Sequence, residues 1–195
     1  AKYGYKSQLY ATFTLGIDAA SPYGKSNGRV AVLPSAQIAW NIKNAPFLIN
    51  SESVSALTLR GEYGMLANSR FSAKYGSYYY HTVPYRDIAG TMREGLPNSW
   101  IGPEKILSSN IGVDFALLGN RINLSADLYE ERTKDLLLDR DKAAAYGHAF
   151  MYQNDGELKT QGAELTLNVN IFQNGKFKWT VGGNIAHYKT EVVSL

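Results

Sequence analysis

The sequence predicts an all-β protein, an antiparallel up-and-down meander of about seven strands. Three observations carry this. Apolar and polar residues alternate in seven separate runs, and a period of two puts one kind on each face of an extended strand. Glycine, asparagine and proline punctuate the gaps between the runs. The composition, with 14 tyrosines, 18 glycines and only 19% charged residues, suits sheets and aromatic-rich surfaces and falls below the roughly 25% charge of soluble domains.

The first run sets Leu9, Ala11, Phe13, Leu15 and Ile17 against Tyr10, Thr12, Thr14, Gly16 and Asp18. A polar turn region follows over Ala19 to Gly28. The second run sets Val30, Val32, Ala36, Ile38, Trp40 and Ile42 against Ser35, Gln37, Ala39 and Asn41. Pro34 lies within it, and a residue that cannot donate to a ladder predicts a bulge or a local edge. A short helical turn is expected between Asn44 and Ser55. The third run has Leu57, Leu59, Tyr63 and Met65 opposed by Thr58, Arg60, Glu62 and Gly64.

Ala67 to Pro103 lacks clean periodicity, apart from an expected helical turn over Ala89 to Gly95. The fourth and fifth runs carry Ile111, Val113, Phe115 and Leu117, then Ile122, Leu124, Ala126 and Leu128. Between them, Leu118-Gly119-Asn120-Arg121 predicts a tight hairpin, because Gly and Asn tolerate positive φ. The sixth run, Ala163 to Ile171, and the seventh, Phe177 to Ile185, are joined at Asn174-Gly175.

The connections sort by length. The first, third and fifth span about 11, 37 and 17 residues; the fourth and sixth are tight and the second intermediate. In a meander the odd connections share one end of the sheet. Long loops at one end and short turns at the other is the asymmetry of a membrane barrel. Trp40, Phe47, Phe115, Phe172, Phe177 and Trp179 gather at the short-turn end, where an interfacial aromatic belt belongs. The opposite face is hydrophilic, with Asp18, Gln37, Asn41, Arg60, Glu62, Asp114, Asp127, Glu164, Asn168, Asn170 and Asn184. Pattern alone leaves two readings, a barrel wall with a wet lumen or a soluble sheet with one solvated face.

Several function classes lack support. Net charge is +3 with a pI near 8.9, and the basic residues are dispersed, so no nucleic-acid patch is expected. There is no cysteine. No apolar run approaches the ~20 residues of a transmembrane helix. Ala1-Lys2-Tyr3-Gly4-Tyr5 reads as strand approach rather than signal peptide, so an exported protein would be represented here by a mature piece or an excised fragment. No nucleophile–base constellation or phosphate loop appears, and no enzyme activity or cofactor is expected. His81, His148 and His187 lie far apart. Asp139-Arg140-Asp141 lacks the glycine and distal glutamate of a calcium loop.

Two sets of side chains stand out. Tyr75, Tyr78, Tyr79, Tyr80 and Tyr85, with Trp100, offer rigid aromatic faces for a ligand or for a partner protein. Arg60, Glu62, Asp114, Asp127 and Glu164 sit on the wet face, where cross-strand ion pairs are expected.

Ordered short pieces also resemble a known family. They include Pro34-Ser35-Ala36 through Trp40, Leu59-Arg60-Gly61-Glu62-Tyr63-Gly64, Asn110-Ile111-Gly112-Val113-Asp114-Phe115, Asp127-Leu128-Tyr129 and Lys159-Thr160-Gln161-Gly162-Ala163-Glu164-Leu165. Together they resemble the late barrel of SusC/RagA-type TonB-dependent transporters of Bacteroidetes outer membranes. The resemblance departs at loop edges: Asp18-Ala19-Ala20-Ser21-Pro22 replaces an Asp-Gly-Ser-Ser-like turn, Ala67 stands where glycine is common, and Pro103-Glu104-Lys105 replaces a Trp-Glu. It implies that residues 1–195 are part of a large transmembrane β-barrel in the bacterial outer membrane, without its plug. It also implies a SusD-like surface lipoprotein as lid, energy from the TonB complex through parts absent here, and import of a glycan or peptide.

Overall fold

The computed structural model of the chain describes residues 1–27, 30–93, 95–148 and 150–195. Eight strands form one antiparallel sheet, in the order β1 (Lys2–Tyr5), β2 (Leu9–Ala19), β3 (Val30–Asn41), β4 (Val54–Asn68), β7 (Glu104–Leu117), β8 (Ile122–Lys134), β11 (Glu157–Asn174) and β12 (Phe177–Ser194). Two hairpins stand within the long connections: β5 (Tyr80–Tyr85) with β6 (Ile88–Arg93), and β9 (Leu137–Asp141) with β10 (Phe150–Asn154). Neighbours in the main sheet follow chain order, as a meander requires.

There are therefore twelve strands rather than seven. All seven predicted strands are present. β1 was missed because four residues are too few to show a period. The segment predicted as a helical turn over 89–95 is instead strand up to Arg93, paired with Tyr80–Tyr85; Gly28 and Glu94 lie outside the described residues. The turn expected after Asn44 begins slightly earlier, as a 3-10 turn at Ile42–Asn44.

Pro34 illustrates how the backbone decides. It pairs with Leu15 in unbroken register on the β2 side. Asn41 N–H donates to Gln8 on that same side, so alternation points the nitrogen of residue 34 toward β4. There the β3–β4 ladder ends at Ser35 opposite Gly64. Proline therefore marks a local edge, and no bulge is needed. In the β7–β8 turn, Leu118, Gly119 and Asn120 all take positive φ, at 53°, 65° and 64°.

The sheet is a single layer. Among the described residues, the large fully buried side chains are Tyr23 and Ile101, both in loops. The apolar residues of the strands are left bare: Ile17 is 71% exposed, Ile111 69%, Leu128 64% and Ile185 69%. A soluble sandwich would cover that face with a second sheet.

Candidate functional site

Three surfaces are built on this sheet. On the inward face, one hydrogen-bonded row sets Ala39, Arg60, Gly112, Asp127 and Glu164 side by side. The Arg60 side chain lies across Gly112. Its Nε donates to Asp114 Oδ2 at 2.7 Å, and its Nη2 reaches Asp127 Oδ1 at 3.1 Å. Ser125 donates to Asp114 at 2.8 Å and Asn110 to Asp127 at 3.2 Å. Gly112 leaves the room this pairing uses: a Cβ there would meet the Arg60 Nη2 at 2.7 Å and its Cζ at 2.8 Å, as well as Asp127 Oδ1, so both side chains would have to shift. One guanidinium thus ties three strands. Glu62 faces Asn110 and Glu164 faces Asp127; neither has an ion-pair partner among the described residues.

At the rim, the three long connections pack on one another. Gly24 N–H donates to Ile101 O at 2.7 Å and Ser26 N–H to Ser99 O at 2.9 Å. Tyr23 stacks on Phe71 with ring centroids 6.2 Å apart and donates to Asp18 at 2.7 Å. Burial, and then that bond to a carboxylate, push the Tyr23 phenol up to about 12. Asn154 joins the third connection to the fifth: its Oδ1 accepts from Gly102 N–H at 2.7 Å, and its Nδ2 donates to Gly102 O and Asp135 O, both at 2.9 Å.

The aromatic candidates separate. Tyr75 and Tyr79 line a cleft of about 250 Å³ with Lys74, His148, Phe150 and Tyr152. Tyr75 stacks on Tyr152 at 3.9 Å, and Phe150 meets Tyr152 edge-on at 5.6 Å. The hydrogen bond with Tyr75, and then burial, raise the Tyr152 phenol above its ordinary value. Tyr78, Tyr80, Tyr85 and Trp100 stay outside the cleft and point to solvent, with Trp100 70% and Tyr85 71% exposed. Sequence reasoning missed Phe150, Tyr152 and Asn154, whose segment reads as plain loop; the alternation of Phe150 and Tyr152 was the available signal. Asp139 and Asp141 lie in β9, paired with Tyr152 and Phe150.

The outward face is apolar in a slanted band. Going up the strands, its last large apolar residue before the first polar one is Ile17 on β2, Leu107 on β7, Leu128 on β8, Leu165 on β11 and Ile185 on β12; beyond these come Ala19 on β2, Lys105 on β7, Glu130 on β8, Ala163 and then Gln161 on β11, and His187 on β12. Ile185 shares its cross-strand row with Leu165, Ala126, Val113, Leu59, Trp40 and Leu9. From Ile17 to Leu9 is eight residues, so the limit falls eight residues over the six steps from β2 to β12. With ~3.3 Å per residue and ~4.8 Å per strand, that slope is a strand tilt of about 40–45°, as in membrane barrels. The lower limit runs parallel, from Trp40 on β3 to Trp179 on β12, which is six residues below Ile185 over five steps.

This slanted band on a chain-order antiparallel wall meets a matching family model, TonB dependent receptor-like β-barrel, over residues 2–194. The chain belongs to that family. TonB-dependent receptor P3 of Formosa agariphila is 32% identical over 198 residues, covering 99% of this chain and 20% of that protein. TonB-dependent receptor SusC of Bacteroides thetaiotaomicron is 28% identical over 202 residues, covering 99% and 20%. The open-open state of the RagAB peptide importer superposes with a TM-score of 0.90 at 28% identity, covering all of this chain and 21% of the matched one. This TonB-dependent receptor segment thus spans about a fifth of the length of the relatives it matches. Barrels of its family are outer-membrane proteins, and the all-β meander agrees with the corresponding part of the RagAB structure.

Proposed function

We propose that the chain is a wall segment of an outer-membrane TonB-dependent transporter that imports a nutrient, a glycan or a peptide. The slanted apolar band carries this reading. Its slope and its parallel limits are what lipid imposes on tilted strands, whereas a soluble partner sheet has no reason to follow a diagonal across hydrogen-bonded rows. The outward side chains meet lipid, and the Arg60 network stiffens the lumen wall. Glu62, Asp114, Asp127 and Glu164 keep that wall hydrophilic. The segment performs no chemistry and needs no cofactor.

The packed long connections are the surface rim. Tyr75, Tyr79 and Tyr152 give it an aromatic cleft for a ligand group, and the exposed Tyr78, Tyr80, Tyr85 and Trp100 form a contact surface for a SusD-like lid lipoprotein. The whole transporter takes its energy from the TonB complex through parts outside this segment. Uptake of the native nutrient by cells with and without TonB tests the energised reading: loss of uptake without TonB is expected, and undiminished uptake points to a passive pore. Replacing Tyr78 and Tyr80 together by alanine is expected to weaken lid association or ligand binding. Unchanged values of both remove the contact assignment.

A further inference from the structure

One row of the inward face breaks its hydrophilic pattern. Leu66 on β4, Ile106 on β7, Leu158 on β11 and Val192 on β12 stand in cross-strand register, with Thr133 on β8 between the second and the third. The next inward row down is Gly64, Ser108, Glu131, Thr160 and Thr190, and the next row up holds Asn68 and Glu104. Leu66 is 59% exposed and Val192 58%. Aliphatic side chains left bare on a wet face cost free energy until something apolar covers them.

The row is a ramp, because the strands are tilted. The outward neighbours of Leu66 are Met65 and Ala67, within the apolar band, whereas those of Leu158 are Glu157 and Lys159. Three polar outward residues, His187, Lys189 and Glu191, separate Val192 from Ile185. Four strand steps of ~4.8 Å at a tilt of about 45° lift Val192 about 13 Å above Leu66. A plug packed inside a barrel needs an apolar patch at one depth; a ramp that climbs out of the bilayer suits something that travels.

The chemistry of the wall selects the traveller. A sugar loses hydrogen bonds to water against aliphatic side chains and gains none in return, and no aromatic ring stands in the row to stack on one. Charge adds a sign. Glu62, Glu104, Glu131 and Glu164 share the inward face, and none has an ion-pair partner among the described residues. The strand cations on that face are Arg60, already held by Asp114 and Asp127, Lys2 at the β1 edge and Lys178 beside the β11–β12 turn. We propose that the ramp binds and guides extended peptides rich in aliphatic and basic residues, so that the imported nutrient is a cationic peptide. The inference rests on the transporter reading above. Side chains on one face of an extended peptide repeat every ~6.6 Å, against ~4.8 Å between the strands, so no single register fits best. The ramp therefore selects composition and tolerates sequence.

The test uses the intact transporter and four labelled probes: a nonapeptide of leucine, lysine and serine, the same peptide with glutamate for lysine, the same with serine for leucine, and a neutral glucose hexasaccharide. The leucine–lysine peptide is expected to bind about tenfold tighter than each of the others. Leu66→Asn with Val192→Asn should remove most of that preference, and Glu131→Gln should weaken the leucine–lysine peptide alone, by about threefold. Asn184→Ser, lower on the same face of β12, should change nothing. Gel mobility of the folded barrel confirms that the variants assemble. Equal binding of the three peptides, a preference for the hexasaccharide, or an unaffected double variant overturns the proposal. TonB-dependent uptake of the hexasaccharide but not of the peptide refutes only this inference; uptake that ignores TonB refutes the transporter reading beneath it.

Discussion

Replacing Phe13 by arginine separates depth in a membrane from position in the sheet. Phe13 shares its hydrogen-bonded row with Ala36, Tyr63, Ser109, Glu130, Gln161 and Lys189. If depth followed rows, Phe13 would lie level with Glu130 and Lys189, already in water, and Phe13→Arg would cost almost nothing. The slanted band says otherwise. On β2 it runs from Leu9 to Ile17, nine residues with Phe13 at the centre. Nine residues at ~3.3 Å span ~30 Å along the strand, or ~20 Å of bilayer at a 45° tilt. Arginine at the centre of such a band costs about 2–4 kcal/mol, falling to about 0–1 at its edges. Leu167→Arg, at the centre of Ala163 to Ile171 on β11, should cost the same as Phe13→Arg. The inward neighbour Thr12→Arg should cost far less. Urea titration of the barrel in phosphatidylcholine vesicles, followed by tryptophan fluorescence, measures all three. A Phe13→Arg value equal to that of Thr12→Arg would falsify both the tilt and the lipid assignment.

Three further outcomes follow from the inward face and the rim. Gly112→Val should displace Arg60 from Asp127 and cost about 1–3 kcal/mol; adding Arg60→Gln should cost little more, and strict additivity in that cycle would argue against the overlap. The folded-state pKa of Tyr23, about 12, lies above the unfolded value of 10. Its contribution to the rim is therefore complete below pH 10 and is lost as pH rises through 12, so ultraviolet titration of phenolate should show a late tyrosine absent from Tyr23→Phe. Asn154→Ala removes two bonds to the third connection and one within the fifth, and hydrogen exchange should speed up over 135–156 and around Gly102 while the main sheet keeps its protection.

The strands were legible because each spans a surface with two different solvents, and a period of two is the direct imprint of that. Leu9 to Ile17 or Ala163 to Ile171 can be read by eye. What was illegible had no such contrast. The β5–β6 hairpin turns at Arg86 and Asp87, with φ of 43° and 65°, so the glycine or asparagine that announces a two-residue turn is missing. Tyr85 and Ile88 face each other across it, both exposed, and an element wet on both sides shows no alternation. The candidate site was half legible for the same reason. Tyrosine density flagged residues 75–85, but the cleft is completed by Phe150 and Tyr152 from a connection some seventy residues on, and only tertiary packing joins them. Arg60, Asp114 and Asp127 were visible as wet-face charges. That one guanidinium serves both carboxylates depends on Gly112, whose importance lies in the side chain it lacks.

The mutual packing of the long connections also bears on how such a wall assembles. Strands β4 and β7 are neighbours in the sheet but are separated by residues 69–103 in the chain. Joining them early means closing a long floppy loop, an entropic penalty that grows with the logarithm of its length. The β5–β6 hairpin and the Tyr75–Asn98 backbone bond of 2.7 Å fold much of that insertion back on itself, so the segment left to close is far shorter than the sequence suggests. Length can thus be added between Gly76 and Leu96 without moving the two wall strands apart, which makes this stretch the place where relatives can vary their outer surface while keeping one barrel.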